Sequence, residues 1–150
     1  MNTTREAIQP YAINPYRVQF QNKDPRGWAE FKQWFEAHSA TGSALTLRGV
    51  LMNRPRILDL ESELSKLTVP LLVITGDEDT PCLGPALFIK QVCPTASVAV
   101  VPSTGHTVNL EEPDVFNKLV FDFVSLVDSG RWRPRDPRSL GTSTLSNPSR

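Results

Sequence analysis

Along the chain, the apolar positions change period twice. From Met1 to Lys23 they are sparse: Pro10 and Pro15 interrupt a polar run whose anchors are only Tyr11, Tyr16, Val18 and Phe20, and no core role is expected of it. Asp24-Pro25 then reads as an N-cap followed by proline at the first helical position. Trp28, Phe31, Trp34 and Phe35 follow at helical spacing, an aromatic stripe that needs a surface to pack on. A second helix is expected after the break Thr41-Gly42-Ser43, with Leu45, Leu47, Val50 and Leu51, ending at Pro55. Asp59 to Leu67 sets Leu60, Leu64 and Leu67 on one face of a short amphipathic helix.

The pattern next becomes continuous. Val69 to Thr75 is an aliphatic, β-branched run ending at Gly76, as expected of a strand buried on both faces of a parallel sheet, and Ser97 to Val101 is another. Pro85 to Val92, with Leu87, Phe88 and Val92 at helical spacing, lies between them, so the order is a βαβ unit. Glu111-Glu112-Pro113-Asp114 suits a helix N-terminus, and Phe116, Leu119, Val120, Phe123 and Val127 form the apolar face of the helix it opens. Beyond Gly130 the Pro-, Ser- and Arg-rich sequence has the composition of an unstructured tail, with Trp132 its one candidate for packing. The predicted organisation is a helical segment and connector at 1–68, an α/β portion at 69–130 and a tail at 131–150. Two parallel strands are marginal by themselves. The sheet therefore reads as incomplete, and the isolated chain is expected to unfold with poor cooperativity or to self-associate through its unpaired edge.

Composition narrows the function classes. With 150 residues, 39% hydrophobic and 21% charged, the chain falls in the range of one soluble domain. The formal net charge of 0 argues against a nucleic-acid partner, and the basic cluster Arg131, Arg133, Arg135 and Arg138 sits in the expected tail. No apolar run approaches the ~20 residues of a membrane span, and the N-terminus shows no leader pattern, so a cytoplasmic location without a membrane partner is expected. Cys82 and Cys93 bracket the helix between the strands at roughly 16 Å, beyond disulfide reach, and read as free thiols in a reducing compartment.

The candidate chemistry follows from topology. A βαβ crossover opens the C-terminal ends of both strands on one edge of the sheet, where α/β folds bind ligands. The loops there are Gly76-Asp77-Glu78-Asp79 and Pro102-Ser103-Thr104-Gly105-His106, so an acid and a histidine share that edge. A histidine acts as general base when a carboxylate holds its other ring nitrogen and stabilises the cation it becomes. Asp79 and His106 fit these roles, with Asp77 next in line for the acid, Glu78 a further candidate, and a helix cap near Pro81 the structural alternative for Asp79.

The G-x-x-D turn after a strand, followed by G-H ahead of L-E-E-P, resembles the C-terminal signature of the α/β-hydrolase family over about Val69 to Val127. The resemblance implies an α/β fold represented here by its last βαβ unit and final helix, and it makes the preceding helices remnants of a cap. It also implies Asp79 as the acid and His106 as the base of a catalytic triad, acting on ester-like or other small apolar substrates. Trp28, Phe31 and Trp34, first read as packing, would on that basis line an apolar acyl pocket. The family's G-x-S-x-G nucleophile elbow does not occur in this sequence; Gly141-Thr142-Ser143 is the nearest string. With the elbow goes part of the oxyanion hole, so this chain alone is expected to hydrolyse little. Two alternatives stand beside this reading: a non-catalytic binding or regulatory chain that pairs by strand addition, and a partial reading frame of a longer protein. Cys82, placed on the acid loop, reads as a small buried hydrophobe rather than a nucleophile. His38 reads as solvated, with no second His or Cys at metal-ligand spacing, and neither metal nor cofactor is expected.

Overall fold

The computed structural model describes residues 14–140; the readings that fall on residues 1–13 and 141–150 lie outside it. Asn14 caps a 3-10 turn (Pro15–Arg17), its side chain accepting from Tyr16 N at 3.0 Å, and α1 (Val18–Lys23) continues from it. This corrects the expectation that the segment has no core role. Phe20 is 2% exposed and meets Phe31 edge-to-face at 5.9 Å, and the buried Arg17 lays its guanidinium over the Phe31 ring at 5.5 Å.

Helix α2 (Pro25–Glu36) begins as expected, the Asp24 carboxylate accepting from Gly27 N at 2.9 Å. Its aromatic stripe divides on packing. Trp28 is buried and Phe31 half-buried, whereas Trp34 is 67% exposed. Helix α3 (Ala40–Thr46) starts earlier than the Thr41-Gly42-Ser43 break suggests, because the Ser39 hydroxyl accepts from Gly42 N at 3.2 Å and makes those residues its first turn. It runs on through a π-helical turn (Leu47–Leu51), and every residue from 37 to 56 is exposed.

The expected Asp59–Leu67 helix is shorter than its periodicity suggests. A 3-10 turn (Ile57–Leu60) leads into α4 (Glu61–Leu64), and successive amides of Ser65, Lys66 and Leu67 bond back into that turn. The leucine face survives: Leu64 is buried with Cys93 and Ala96, and Leu60 and Leu67 pack beside them with Phe88 and Ile89. Burying a leucine contributes about 1.5–3 kcal/mol.

Strand β1 (Leu71–Gly76), helix α5 (Thr80–Val92) and strand β2 (Ala96–Val101) form the expected βαβ unit. The strands pair in parallel, Leu71 opposite Ala96 through Gly76 opposite Val101. Helix α5 starts before Pro85 and contains it; the amide that proline lacks would have bonded the Pro81 carbonyl, so the loss falls in the first turns. Leu71 to Ile74 are only half-buried, which corrects the expectation of a strand covered on both faces. The cause is topological. Among the described residues β1 has a single neighbour, β2, and its other edge carries no strand.

After β2 come α6 (Val108–Glu111) and α7 (Pro113–Asp128). The apolar face of α7 is incompletely covered, with Phe116, Leu119 and Phe123 half-buried but Val120 37% and Phe121 71% exposed. Trp132 packs edge-on to Phe123 at 4.8 Å and donates its indole N–H to Thr95 O at 2.9 Å; Arg135 N then bonds Pro94 O at 2.8 Å. The chain as far as a 3-10 turn (Pro137–Leu140) thus lies back toward the start of β2. Among the described residues no helix is long and apolar enough to cross a membrane.

Candidate acid–base site at the strand ends

The pairing of Gly76 with Val101 sends both loops out side by side. Asp77 N extends the ladder to Val101 O at 3.0 Å, and Glu78 N bonds Thr104 O at 3.0 Å. The Asp77 carboxylate accepts from Thr104 N at 3.1 Å, and this amide holds it below the usual carboxylate range. The Glu78 carboxylate turns outward and accepts from the Gln19 side chain at 2.8 and 2.9 Å. Of the three acids in the turn, Asp79 is the one that meets the histidine, its Oδ2 lying 2.8 Å from His106 Nδ1.

That carboxylate is deeply placed, with 5% of its side chain exposed against 45% for His106. An ionised carboxylate only accepts, so beside it His106 Nδ1 donates, and in the neutral ring Nε2 is then left with its lone pair. The pair has the polarity of an oriented base: a fixed acceptor inside and an imidazole face open to solvent.

The histidine loop is held from three sides. His106 N donates to Tyr16 O at 2.7 Å, Lys23 Nζ bonds the Thr104 hydroxyl at 3.3 Å and pairs with Glu112, and the buried Glu111 carboxylate turns back under the loop. Glu111 accepts from Gly105 N at 2.7 Å, Thr107 N at 3.0 Å and the Thr107 hydroxyl at 2.9 Å. Glu111 is therefore not an acid at the start of the last helix, as the sequence suggested. It ends the short α6, and its role is to satisfy the loop's amides. Glycine is required at two points. A Cβ on Gly76 would run into the Thr104 and Gly105 carbonyls, and one on Gly105 into the Tyr16 carbonyl.

Cys82 is the neighbour that sequence reading misplaced. It lies in the first turn of α5, on the same side as Asp79 three residues earlier, and its Sγ is 3.9 Å from His106 Nδ1. Burial first, then the hydrogen bond and charge of Asp79, push its thiol up to about 11. Such a thiol is a poor nucleophile at neutral pH. The donor atoms of Asp79, Cys82 and His106 nonetheless lie within 4.8 Å of one another. Sequence spacing around His38 could not reveal this cluster, because His106 arrives from a separate loop; His38 itself is exposed beside the Phe35 ring at 5.2 Å.

A cavity of about 260 Å³ adjoins the pair, lined by Val73, by Cys82, Pro85, Ala86 and Ile89 of α5, and by Val108. Trp28, Phe31 and Trp34 are not among its lining residues; the structure leaves that stripe with α1 and solvent rather than at the histidine. Of the sequence-derived candidates it brings together Asp79 and His106.

No protein-family model matches the chain. It is 31% identical over 68 residues to a Bacillus subtilis (strain 168) protein with the provisional name 2-succinyl-6-hydroxy-2,4-cyclohexadiene-1-carboxylate synthase, covering 45% of this chain and 25% of that protein. The structure is similar to that of MenH from S. aureus, an α/β-hydrolase, with a TM-score of 0.72 and 18% identity over 83% of this chain and 49% of MenH. The chain thus spans about a quarter of the first protein's length and about half of the second's. Its strand order, crossover helix and fold similarity together make the chain part of an α/β-hydrolase fold.

Proposed function

We propose that this chain supplies the acid and base of a hydrolase-type catalytic triad. The observation that carries the reading is the 2.8 Å bond between His106 Nδ1 and the buried Asp79, at the ends of adjacent parallel strands. In that role His106 Nε2 takes the proton of an attacking hydroxyl and later returns it, while Asp79 keeps the ring in the required tautomer and stabilises its cation. The nucleophile comes from residues other than these, since the sequence holds no G-x-S-x-G and the thiol of Cys82 stays protonated at neutral pH. The apolar lining of the adjoining cavity favours a small substrate with an apolar part, ester-like in the simplest case. The name of the B. subtilis relative adds a second reaction class for the same base, the formation of a cyclohexadiene carboxylate, in which it would remove a proton from the precursor.

Two measurements test this. Intact mass after treatment with a fluorophosphonate, beside a His106→Ala control, reports whether a serine nucleophile acts within this chain. A His106-dependent adduct would overturn the assignment of the nucleophile elsewhere, and no adduct is expected. Proton NMR of the ring then tests the pair itself: a low-field Nδ1–H resonance that disappears in Asp79→Asn supports the oriented base, and its absence from the wild-type chain sinks the reading.

A second reading is favoured by the open edge of β1 and the exposed side chains of Leu45, Leu47, Val50 and Met52. On it the chain acts as a binding partner that adds a strand from another polypeptide. Concentration-dependent self-association in sedimentation, with no hydrolytic activity in the assembled species, would favour it over the first.

A further inference from the structure

We infer that Asp79, Cys82 and His106 form a binding site for a borderline-soft divalent cation of the zinc type. The site does not rest on the hydrolytic reading; it follows from the donors and their spacing. The set combines a carboxylate, a thiol and an imidazole, which as thiolate and neutral ring suit Zn²⁺ rather than the all-oxygen coordination of Ca²⁺ or Mg²⁺. Metal–ligand bonds of about 2.0–2.3 Å in a tetrahedron put donor atoms roughly 3.4 Å apart. Here Nδ1 stands 2.8 Å from Asp79 Oδ2 and 3.9 Å from Cys82 Sγ, and the three donors all lie within 4.8 Å of one another, so side-chain rotations of an ångström or so reach the required spacing.

A second observation points the same way. Asp79 Oδ1 is buried without a hydrogen-bond partner among the described residues, in a side chain only 5% exposed. An interior carboxylate oxygen left without a donor is costly, and a cation bound to the Asp79 carboxylate would offset the charge that this oxygen leaves uncompensated. The half-exposed imidazole and the adjoining cavity of about 260 Å³ leave an entry path and a fourth position for water, the arrangement of an open three-ligand zinc site.

The protons balance simply. Asp79 binds as the carboxylate, Cys82 releases its thiol proton to solvent, and His106 moves its proton from Nδ1 to Nε2, so one proton is released per ion. Occupation therefore fills the lone pair at Nε2 with hydrogen. On the hydrolytic reading, a bound cation would silence the base that the empty pair provides.

Cobalt(II) titration of the full chain, in a non-thiol reductant, tests the site without any enzyme assay. One equivalent of Co²⁺ is expected to produce a thiolate-to-cobalt charge-transfer band that Zn²⁺ displaces. The band should vanish in Cys82→Ser and persist in Cys93→Ser, with far-ultraviolet circular dichroism showing that both variants fold. Asp79→Asn and His106→Gln should each weaken Zn²⁺ affinity by about tenfold or more. Bound Zn²⁺ should also protect Cys82 from alkylation, read by peptide mass. The inference is overturned by no band in the wild-type chain, or by a band that survives Cys82→Ser. The low-field Nδ1–H resonance reports on the Asp79–His106 pair separately, so failure of the cation site and failure of the acid–base reading remain distinguishable.

Discussion

At the strand-end edge, residues 76–79 and 102–107 are tied to each other and to the segment 14–23 by backbone and side-chain hydrogen bonds, and Thr104, Gly105, Asp79 and Glu111 are all buried. The helical stretch at 37–56 is the opposite case, with a capped helix and several large aliphatic residues but no buried side chain. Apart from Asp79 Oδ1, the buried side-chain polar groups of these two loops find partners within the described residues 14–140. The helical stretch satisfies its own backbone, as any helix does, yet among the described residues nothing covers its aliphatic side chains. Local hydrogen bonding can complete a loop; it cannot complete a core.

The sharpest way to separate these regions is at the acid. With the nucleophile-bearing remainder of the fold supplied, Asp79→Asn is expected to lower turnover about 10⁴-fold by stabilising the wrong histidine tautomer. Steady-state kinetics beside a denaturant melt checks this, and an unchanged rate would remove the edge from the chemistry. Next in size is Glu111→Ala, which leaves the buried Gly105 amide and the half-buried Thr107 amide without their acceptor. A loss of about 3 kcal/mol is expected, measured by urea unfolding; a neutral result would mean that the loop is held by Tyr16 and Lys23 alone.

Smaller effects sharpen the contrast. Burial beside the Asp79 carboxylate pushes the Cys82 thiol up to about 11. The thiolate fraction at neutral pH is then about 100-fold lower, partly offset by a more nucleophilic sulfur, for a net alkylation about tenfold slower than a free thiol. The rate should rise with pH until it levels near pH 11, which iodoacetamide kinetics followed by peptide mass would show. Asp77 carries the opposite sign. Its folded pKa lies below the ordinary value, so its bond to Thr104 contributes stability above the unfolded pKa, and that contribution is lost as pH falls through the folded one. Acid titration of wild type against Asp77→Asn, read by amide exchange at Thr104, checks it. Smallest of all, Leu47→Ser in the exposed stretch should change the stability of the isolated chain by no more than about 0.5 kcal/mol. A cost near that of a core leucine would show that this face is covered in solution.

What could be read from residue order alone was local or periodic. The Asp24-Pro25 start of α2, the two aliphatic strands with a helix between them, and the amphipathic last helix each rest on neighbours in sequence. Because a parallel crossover forces both strand ends to one edge, residue order also puts the acids of the 77–79 turn and His106 on that edge. Only the tertiary structure decided which acid turns inward. Asp77, Glu78 and Asp79 differ by single positions, and the choice came from Thr104, Gln19 and His106, which approach from other parts of the chain. The same holds for Glu111 beneath the loop, for Cys82 beside the imidazole and for Tyr16 behind it. Periodicity reports which face of an element is apolar; it carries no information on which distant backbone amide or ring nitrogen will meet a given side chain, because that is set by how the elements pack.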